Sequence, residues 1–161
     1  MINKKEIPEE VKMAINEFVE ACKEKFGEDL ISIVLFGSYA RGNFKESSDV
    51  DLLVIAKNLP GKWRERKKLF EEITKKIGEK YGRYIEIIPL TEKEFISNIN
   101  HYNSLFITFL LGHKVFFDKN FFVSNFKNFA NSLLAEKILY YEGDKKWEIR
   151  ELAEEYLQSF G

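Results

Sequence analysis

The N-terminal segment has the hydrophobic pattern of an amphipathic helix. Pro8 suits the first turn of a helix, and apolar side chains recur at helical spacing after it. These side chains are Val11, Ala14, Ile15, Phe18, Val19, Cys22 and Phe26. Because Gly27 follows the last of them, we predict a first helix over about residues 8–26.

Three short apolar runs have the composition of buried β-strands. They are rich in β-branched and aliphatic residues and span residues 30–36, 49–56 and 84–88. The first run ends at Gly37, and we expect residues 38–42 to turn off its end as a short helix. Pro89 is expected to close the third strand.

The remaining segments are predicted to be mostly helical. Leu69, Phe70, Ile73 and Ile77 mark a helix that ends near Gly78 or Gly82. Thr91, with Glu94 three residues later, is the signature of a capping box that opens a further helix. Beyond it we predict helices over about residues 101–111, 119–141 and 145–159, and a short strand over residues 114–117.

This order of elements predicts the fold class and the domain organisation. Strands that alternate with helices, followed mainly by helices, indicate an α/β (α+β) fold with a small sheet flanked by helices. We predict a sheet-bearing domain over residues 1–117 and a C-terminal helical hairpin over residues 118–161 packed on it.

The phenylalanines near the start of this hairpin allow two interpretations. Six of them fall within fourteen residues, at positions 116, 117, 121, 122, 126 and 129. Most of this apolar surface is expected to be core packing, and an interface with another protein is the alternative.

Composition limits the function classes. The chain has 25 Lys and Arg against 26 Asp and Glu, a net charge of -1, so direct binding to nucleic acid is not expected. Residues 57–83 carry a local excess of positive charge, which is either a solvated helix face or a landing surface for phosphates, RNA or an acidic partner. No apolar run is long enough for a membrane span, and we expect a cytoplasmic protein.

Several common sites do not match the sequence. The single Cys22 excludes a disulfide within the chain, and His101 and His113 lack the spacing of metal ligands. The Walker A pattern and the glycine pattern of dinucleotide-binding folds are both absent.

Two aspartates at the start of the second strand form the first part of a candidate active site. Asp49 and Asp51 are two residues apart, so both carboxylates project from one face of the strand. Two like charges side by side are unfavourable without a cation, and carboxylates that share a Mg²⁺ ion with substrate phosphates are a common solution.

A Gly-Ser turn supplies the second part. Gly37 and Ser38 follow a buried strand, where the missing side chain of Gly37 lets phosphate oxygens approach backbone N–H groups. A phosphate-binding turn and a metal-binding strand then lie at neighbouring strand ends.

The whole segment from Gly37 to Val54, with its Gly-Ser-x-Ala-Arg-Gly and Ser-Asp-x-Asp strings, resembles the signature of the DNA polymerase β-like nucleotidyltransferase superfamily. Within it, the chain resembles the minimal nucleotidyltransferases, including the antitoxin partners of HEPN-domain toxins. The resemblance implies the palm fold of that superfamily, with a small mixed sheet.

The resemblance also implies a set of site residues. The superfamily adds a third carboxylate on a later strand, for which Glu86 is the candidate, although an edge-strand glutamate facing water is the alternative. Asp49, Asp51 and Glu86 are then the expected catalytic and metal-binding residues. The expected ligands of the nucleotide and its phosphates are Gly37, Ser38, Arg41 and Ser48. For Arg41, an ion pair with a nearby carboxylate is the alternative.

The implied chemistry is nucleotidyl transfer from ATP with Mg²⁺, and two Mg²⁺ ions are expected. Asp49 and Asp51 would hold Mg²⁺ against the triphosphate, and Glu86 would share a second ion or accept the proton of the incoming hydroxyl. A hydroxyl attacks the α-phosphorus and pyrophosphate leaves.

The sequence allows several acceptors for the AMP group, and also a function without catalysis. The resemblance favours a HEPN-domain partner protein that receives AMP on a hydroxyl, as in toxin–antitoxin pairs of type VII. The alternatives are transfer to a small molecule such as an aminoglycoside, transfer to an RNA end, and non-catalytic masking of a partner.

Overall fold

A four-stranded mixed sheet forms the centre of the computed structural model, which describes residues 4–160. Its strands are β1 (Leu30–Phe36), β2 (Val50–Ala56), β3 (Ile85–Leu90) and β4 (Lys114–Asp118). The order across the sheet is β3-β2-β1-β4. β2 and β3 are parallel, whereas β1 is antiparallel to both of its neighbours. The predicted fold class, a small mixed sheet flanked by helices, is confirmed.

Seven α-helices accompany the sheet in the described part of the chain. They are α1 (Glu9–Phe26), α2 (Ser38–Arg41), α3 (Trp63–Tyr81), α4 (Glu92–Asn100), α5 (Ser104–Thr108), α6 (Phe122–Leu133) and α7 (Ile149–Gln158). Gly27–Asp29 and Phe109–Leu111 each form a turn of 3-10 helix. No helix within residues 4–160 is both long and apolar enough to cross a membrane.

Alternation along the strands divides the core into two hydrophobic clusters, one on each face of the sheet. Ile33 and Leu52 belong to the cluster formed with α1 and α3. Val34 and Leu53, one residue further along each strand, belong to the cluster formed with α4, α5, α6 and α7. Asp51 is two residues from Leu53, so its side chain projects toward the face covered by the C-terminal helices.

The C-terminal region departs from the predicted helical hairpin. Residues predicted as the end of one helix and the start of the next instead form a β-hairpin of β5 (Leu139–Glu142) and β6 (Lys145–Glu148), between α6 and α7. Gly143 adopts a φ of 61° in the tight turn, and half-buried Tyr140 pairs with Trp147 on the inner face. The prediction of continuous helices was wrong because a Gly-Asp turn between short segments that contain aromatic residues favours strands.

The phenylalanine-rich segment is largely core. Phe122, Phe126 and Phe129 are buried, and their cluster includes residues of β1, β2, α6 and α7. His113 packs against Phe122 and Phe126, and burial lowers the pKa of its imidazole. The interpretation as core packing is therefore confirmed for these three phenylalanines, while the domain boundary at residues 117 and 118 stays a prediction.

The edge strand β3 contains Pro89, which the sequence had placed just beyond the strand. Proline is tolerated there because β3 pairs with β2 alone, so its other edge lacks a ladder that would need the missing N–H. Arg66 of α3, which is buried, donates to the carbonyl of Pro89 and forms two hydrogen bonds to Glu94. Glu94 also completes the predicted capping box with Thr91, which is confirmed.

Candidate functional site

Three neighbouring strand ends bring the predicted residues together. Gly37 directly follows β1, while Asp51 and Glu86 are the second residues of β2 and β3. Asp51 is in register with Phe36 on one side and with Glu86 on the other. Because paired residues of adjacent strands point to the same face, the carboxylates of Asp51 and Glu86 lie on one side of the sheet.

The turn at Gly37 is shaped around the carboxylate of Asp51. Gly37 has a φ of 78°, a backbone conformation that favours glycine. A Cβ at this position would overlap the Oδ2 atom of Asp51 and lie 3.1 Å from its Cγ. Glycine is therefore required twice here, for its backbone angle and for the close approach of Asp51 to the start of α2.

The charge of Asp51 is unfavourable where it lies. Burial, and after it the negative charges of Asp49 and Glu86, raise the pKa of Asp51 from 3.8 to about 6. A cation between these carboxylates would relieve both effects. Asp49 immediately precedes β2 and is exposed, so it faces solvent beside the more enclosed Asp51.

Glu86 is held by partners that the sequence analysis did not identify. Lys67 of α3 forms a salt bridge with Glu86 and also donates to the carbonyl of Ile87. The Lys67 hydrogen bond, and more weakly that of Tyr84, lowers the pKa of the Glu86 carboxyl. Hydrogen bonding to Glu86 in turn raises the pKa of the Tyr84 phenol. Glu86 is therefore a carboxylate paired with Lys67 on the edge strand β3, with 41% of its side chain exposed, and its catalytic role stays a prediction.

Ser48 organises the loop before the aspartates. Its hydroxyl oxygen accepts a hydrogen bond of 2.8 Å from the backbone N–H of Lys45. The N–H of Ser48 donates to the carbonyl of Lys45, so the two residues close a turn. The structure thus gives Ser48 a local role in positioning Asp49, and its predicted contact with nucleotide stays a prediction.

Arg41 ends the short helix α2 and forms a bidentate ion pair with Glu142 of the β-hairpin. The two N–O distances are 2.8 and 3.0 Å, and Tyr140 donates a third hydrogen bond to the same carboxylate. The sequence analysis left open a pairing of Arg41 with a carboxylate nearby; the structure supplies one from 101 residues away.

The Arg41 pair leads to a test of coupling. The Arg41 side chain is only 18% exposed, so we expect the pair to contribute about 1 kcal/mol to the free energy of unfolding. Denaturant unfolding of Arg41→Ala, Glu142→Ala and the double variant should give that coupling energy. Additive effects of the two single substitutions would contradict this coupling. If Arg41→Ala raises the KM for ATP and Glu142→Ala does not, the Arg41 guanidinium also contacts a phosphate.

The donor set suits a Mg²⁺ ion at Asp49 and Asp51. Within residues 4–160 no three His, Cys, Asp or Glu side chains form a ready-made metal cluster. The hard oxygen atoms of two neighbouring aspartates, and the raised pKa of Asp51, are nonetheless what a divalent cation with substrate phosphates would complement. Glu86 is engaged with Lys67 in this arrangement.

The residues that the sequence analysis missed differ in how they could be found. Tyr84 lies two residues before Glu86, so strand alternation alone placed it on the same face. Lys67 and Glu142 reach the site from distant helix and hairpin positions, and nothing in their local sequence indicates this.

A mixed sheet with an Asp-x-Asp strand packed against a Gly-Ser turn defines the chain as a nucleotidyltransferase. The model of the nucleotidyltransferase domain family matches residues 15–117, and the chain belongs to this family. The match spans β1, β2, β3, all but the last residue of β4, and every predicted site residue.

A curated relative and two solved structures are similar to this chain to different degrees. A Methanocaldococcus jannaschii protein that is named, by inference, a protein adenylyltransferase is 40% identical over 86% of this chain and 93% of its own length. The spectinomycin adenyltransferase AAD(9) of Enterococcus faecalis shares the fold, with a TM-score of 0.50 at 15% identity over 76% of this chain and 67% of that one. A structure of the MntA–HpeT toxin–antitoxin pair has a TM-score of 0.48 at 16% identity, over 73% of this chain and 81% of that one.

Proposed function

We propose that this chain transfers AMP from ATP, with Mg²⁺, to a hydroxyl group of a partner protein, and that the partner is a HEPN-domain toxin. The observation that carries the reaction class is the packing of the Asp51 carboxylate on Gly37, directly before Ser38. This places a cation-binding carboxylate against a turn whose backbone N–H groups can hold phosphates.

The site residues divide the work of the transfer. Ser38 and the backbone around Gly37 would bind the β- and γ-phosphates, and Asp49 and Asp51 would hold Mg²⁺. Bound Mg²⁺ supplies charge neutralisation of the triphosphate and of the pyrophosphate that leaves. The acceptor oxygen would attack the α-phosphorus, pyrophosphate would leave, and the acceptor's proton would pass to Glu86, which is in register with Asp51 on the same face of the sheet.

One comparison and the motif resemblance support a protein as the acceptor. The 40% identical relative spans nearly the same length and carries the name of a protein adenylyltransferase. The motif resemblance to minimal nucleotidyltransferases supports a HEPN-domain toxin as the specific partner. The neutral overall charge gives RNA no long-range attraction.

Intact mass tests the proposal directly. The chain is incubated with ATP, Mg²⁺ and the HEPN-domain protein encoded nearest to its gene, and we expect the partner to gain the mass of one or more AMP groups. The matched control is Asp49→Asn with Asp51→Asn, which should leave the partner unmodified.

Other outcomes separate the alternatives. Full neutralisation of the toxin by the double variant would show that the chain acts by masking its partner and not by catalysis. An unmodified partner, together with AMP on an aminoglycoside or on an RNA 3′ end in parallel reactions, would reassign the acceptor.

A further inference from the structure

Tyr84 lies beside residues of the candidate site. It immediately precedes β3, and its carbonyl accepts a 2.9 Å hydrogen bond from the N–H of Val50, between the two aspartates. Strand alternation puts its side chain on the same face as Glu86, and 63% of the residue is exposed. Its backbone is thus fixed beside Asp49 while its phenol is free of the core.

Tyr84 lies close to the carboxylate that an acceptor hydroxyl needs. It is two residues before Glu86 on the same face of β3, and Glu86 is the carboxylate proposed to receive the acceptor's proton. Lys67 of α3 forms a salt bridge with the same carboxylate. The Lys67 Nζ atom lies over the Trp63 ring, 5.6 Å from the ring centroid. A tyrosine of the chain itself therefore lies next to the carboxylate that the proposed function assigns to the incoming hydroxyl.

Other tyrosines lack this arrangement. Tyr39 is buried beneath Arg83, and Tyr81 donates its hydroxyl proton to Glu17 on α1. Tyr140 donates to Glu142. Tyr141 is 60% exposed, nearly as much as Tyr84, but it lies on β5 and points to the outer face of the hairpin. Tyr84 and Tyr141 are therefore similarly exposed, and proximity to Glu86 distinguishes Tyr84 from Tyr141.

We propose that Tyr84 is an internal acceptor, so that the chain transfers AMP to its own Tyr84 hydroxyl when no partner occupies the site; this rests on the proposed function. The Tyr84 Oη atom forms a bond to the α-phosphorus of ATP, and the bond from that phosphorus to the bridging oxygen breaks. Pyrophosphate leaves with those electrons, and the phenolic proton passes to Glu86.

Modification at this position would limit the enzyme. The phosphodiester carries a negative charge beside Asp49 and Glu86, and the attached AMP fills the place of the acceptor. A chain modified in this way should transfer AMP to a partner more slowly than a fresh one, and a bound partner should protect Tyr84.

The test compares Tyr84→Phe with the matched control Tyr141→Phe. Each full-length variant, the wild type and Asp51→Asn are incubated with ATP and Mg²⁺ without a partner, and the products are measured by intact mass and peptide mapping. We expect one AMP group, on Tyr84, in the wild type and in Tyr141→Phe. In Tyr84→Phe the rate of AMP incorporation should fall at least about tenfold, which corresponds to about 1.4 kcal/mol in the activation barrier.

Three results would overturn the inference. The first is AMP that maps to another residue, and the second is modification that persists in Tyr84→Phe. The third is transfer between molecules, seen as AMP on a tagged Asp51→Asn chain mixed with the wild type, because the argument places Tyr84 in its own site.

The partner reaction keeps the two proposals apart. Wild type that modifies the HEPN-domain protein but never itself removes Tyr84 as an acceptor and leaves the proposed function standing. If neither protein gains AMP from ATP, both proposals fail.

Discussion

Asp51→Asn is expected to abolish nucleotidyl transfer and, at neutral pH, to stabilise the fold. Loss of one of the two carboxylates proposed to hold Mg²⁺ should reduce transfer by about a thousandfold or more, since a bound cation lowers the energy of the developing charge by several kcal/mol. The stabilisation follows from the pKa of Asp51, which rises from 3.8 to about 6 on folding. Two pKa units correspond to at most about 3 kcal/mol, so we expect a gain of about 1–3 kcal/mol in the free energy of unfolding.

The pH dependence of this gain has a defined sign. Between pH 3.8 and about 6 the folded protein binds a proton at Asp51 more tightly than the unfolded chain does. The ionised carboxylate therefore destabilises the fold fully above pH 6, and the advantage of Asp51→Asn should shrink as the pH falls through 6. Denaturant unfolding of wild type and variant at pH 5 and pH 7.5 measures this difference.

Mg²⁺ and a second aspartate complete the test of Asp51. Mg²⁺ should stabilise the wild type and have little effect on Asp51→Asn, a readout that does not depend on activity. Asp144→Asn, in the exposed turn between β5 and β6, is the control and should change neither stability nor transfer appreciably. Equal stability of Asp51→Asn and wild type at pH 7.5 would contradict the proposed strain at this carboxylate.

Gly37→Ala is expected to have the second large effect. The new Cβ would overlap Oδ2 of Asp51, and alanine at a φ of 78° is itself strained. Together these should lower the free energy of unfolding by at least about 2 kcal/mol and the melting temperature by roughly 5–10 °C. Because Asp51 must move aside, transfer should fall by about a hundredfold even in the folded fraction.

Gly61→Ala provides the comparison for Gly37. A Cβ at Gly61 meets no atom within 4 Å, so this variant should fold and transfer AMP like the wild type. Calorimetry and a pyrophosphate-release assay on both variants measure the two effects. A Gly37→Ala variant as active and as stable as Gly61→Ala would show that the turn tolerates a side chain and that Asp51 is not confined by it.

The local sequence carried most of the sheet domain. The helical periodicity before Gly27 and the apolar runs of β1 and β2 predicted their elements to within a residue or two, because side-chain period and turn residues are local properties. At Gly143, between β5 and β6, a short turn signal lies within a broad apolar pattern, and the helices predicted from that pattern were wrong.

The motif also predicted which residues would gather. Gly37 and Asp51 belong to one continuous segment, so an antiparallel pairing of β1 with β2 was enough to bring them into contact. Glu86 is 35 positions beyond Asp51 in the chain, and only the parallel pairing of β2 with β3 aligned the two carboxylates. The sequence supplied a candidate for this third position, and the sheet supplied its register.

By itself, then, the sequence determined the reaction class, because a Gly-Ser turn and an Asp-x-Asp strand act through neighbouring residues. The tertiary structure decided what surrounds those residues: Lys67 and Tyr84 against Glu86, and Glu142 against Arg41. These contacts depend on how helices and hairpins pack across the sheet, and packing is set by the shape of the whole core. Burial does the same for Asp51, whose raised pKa is a property of the folded site and of no residue alone.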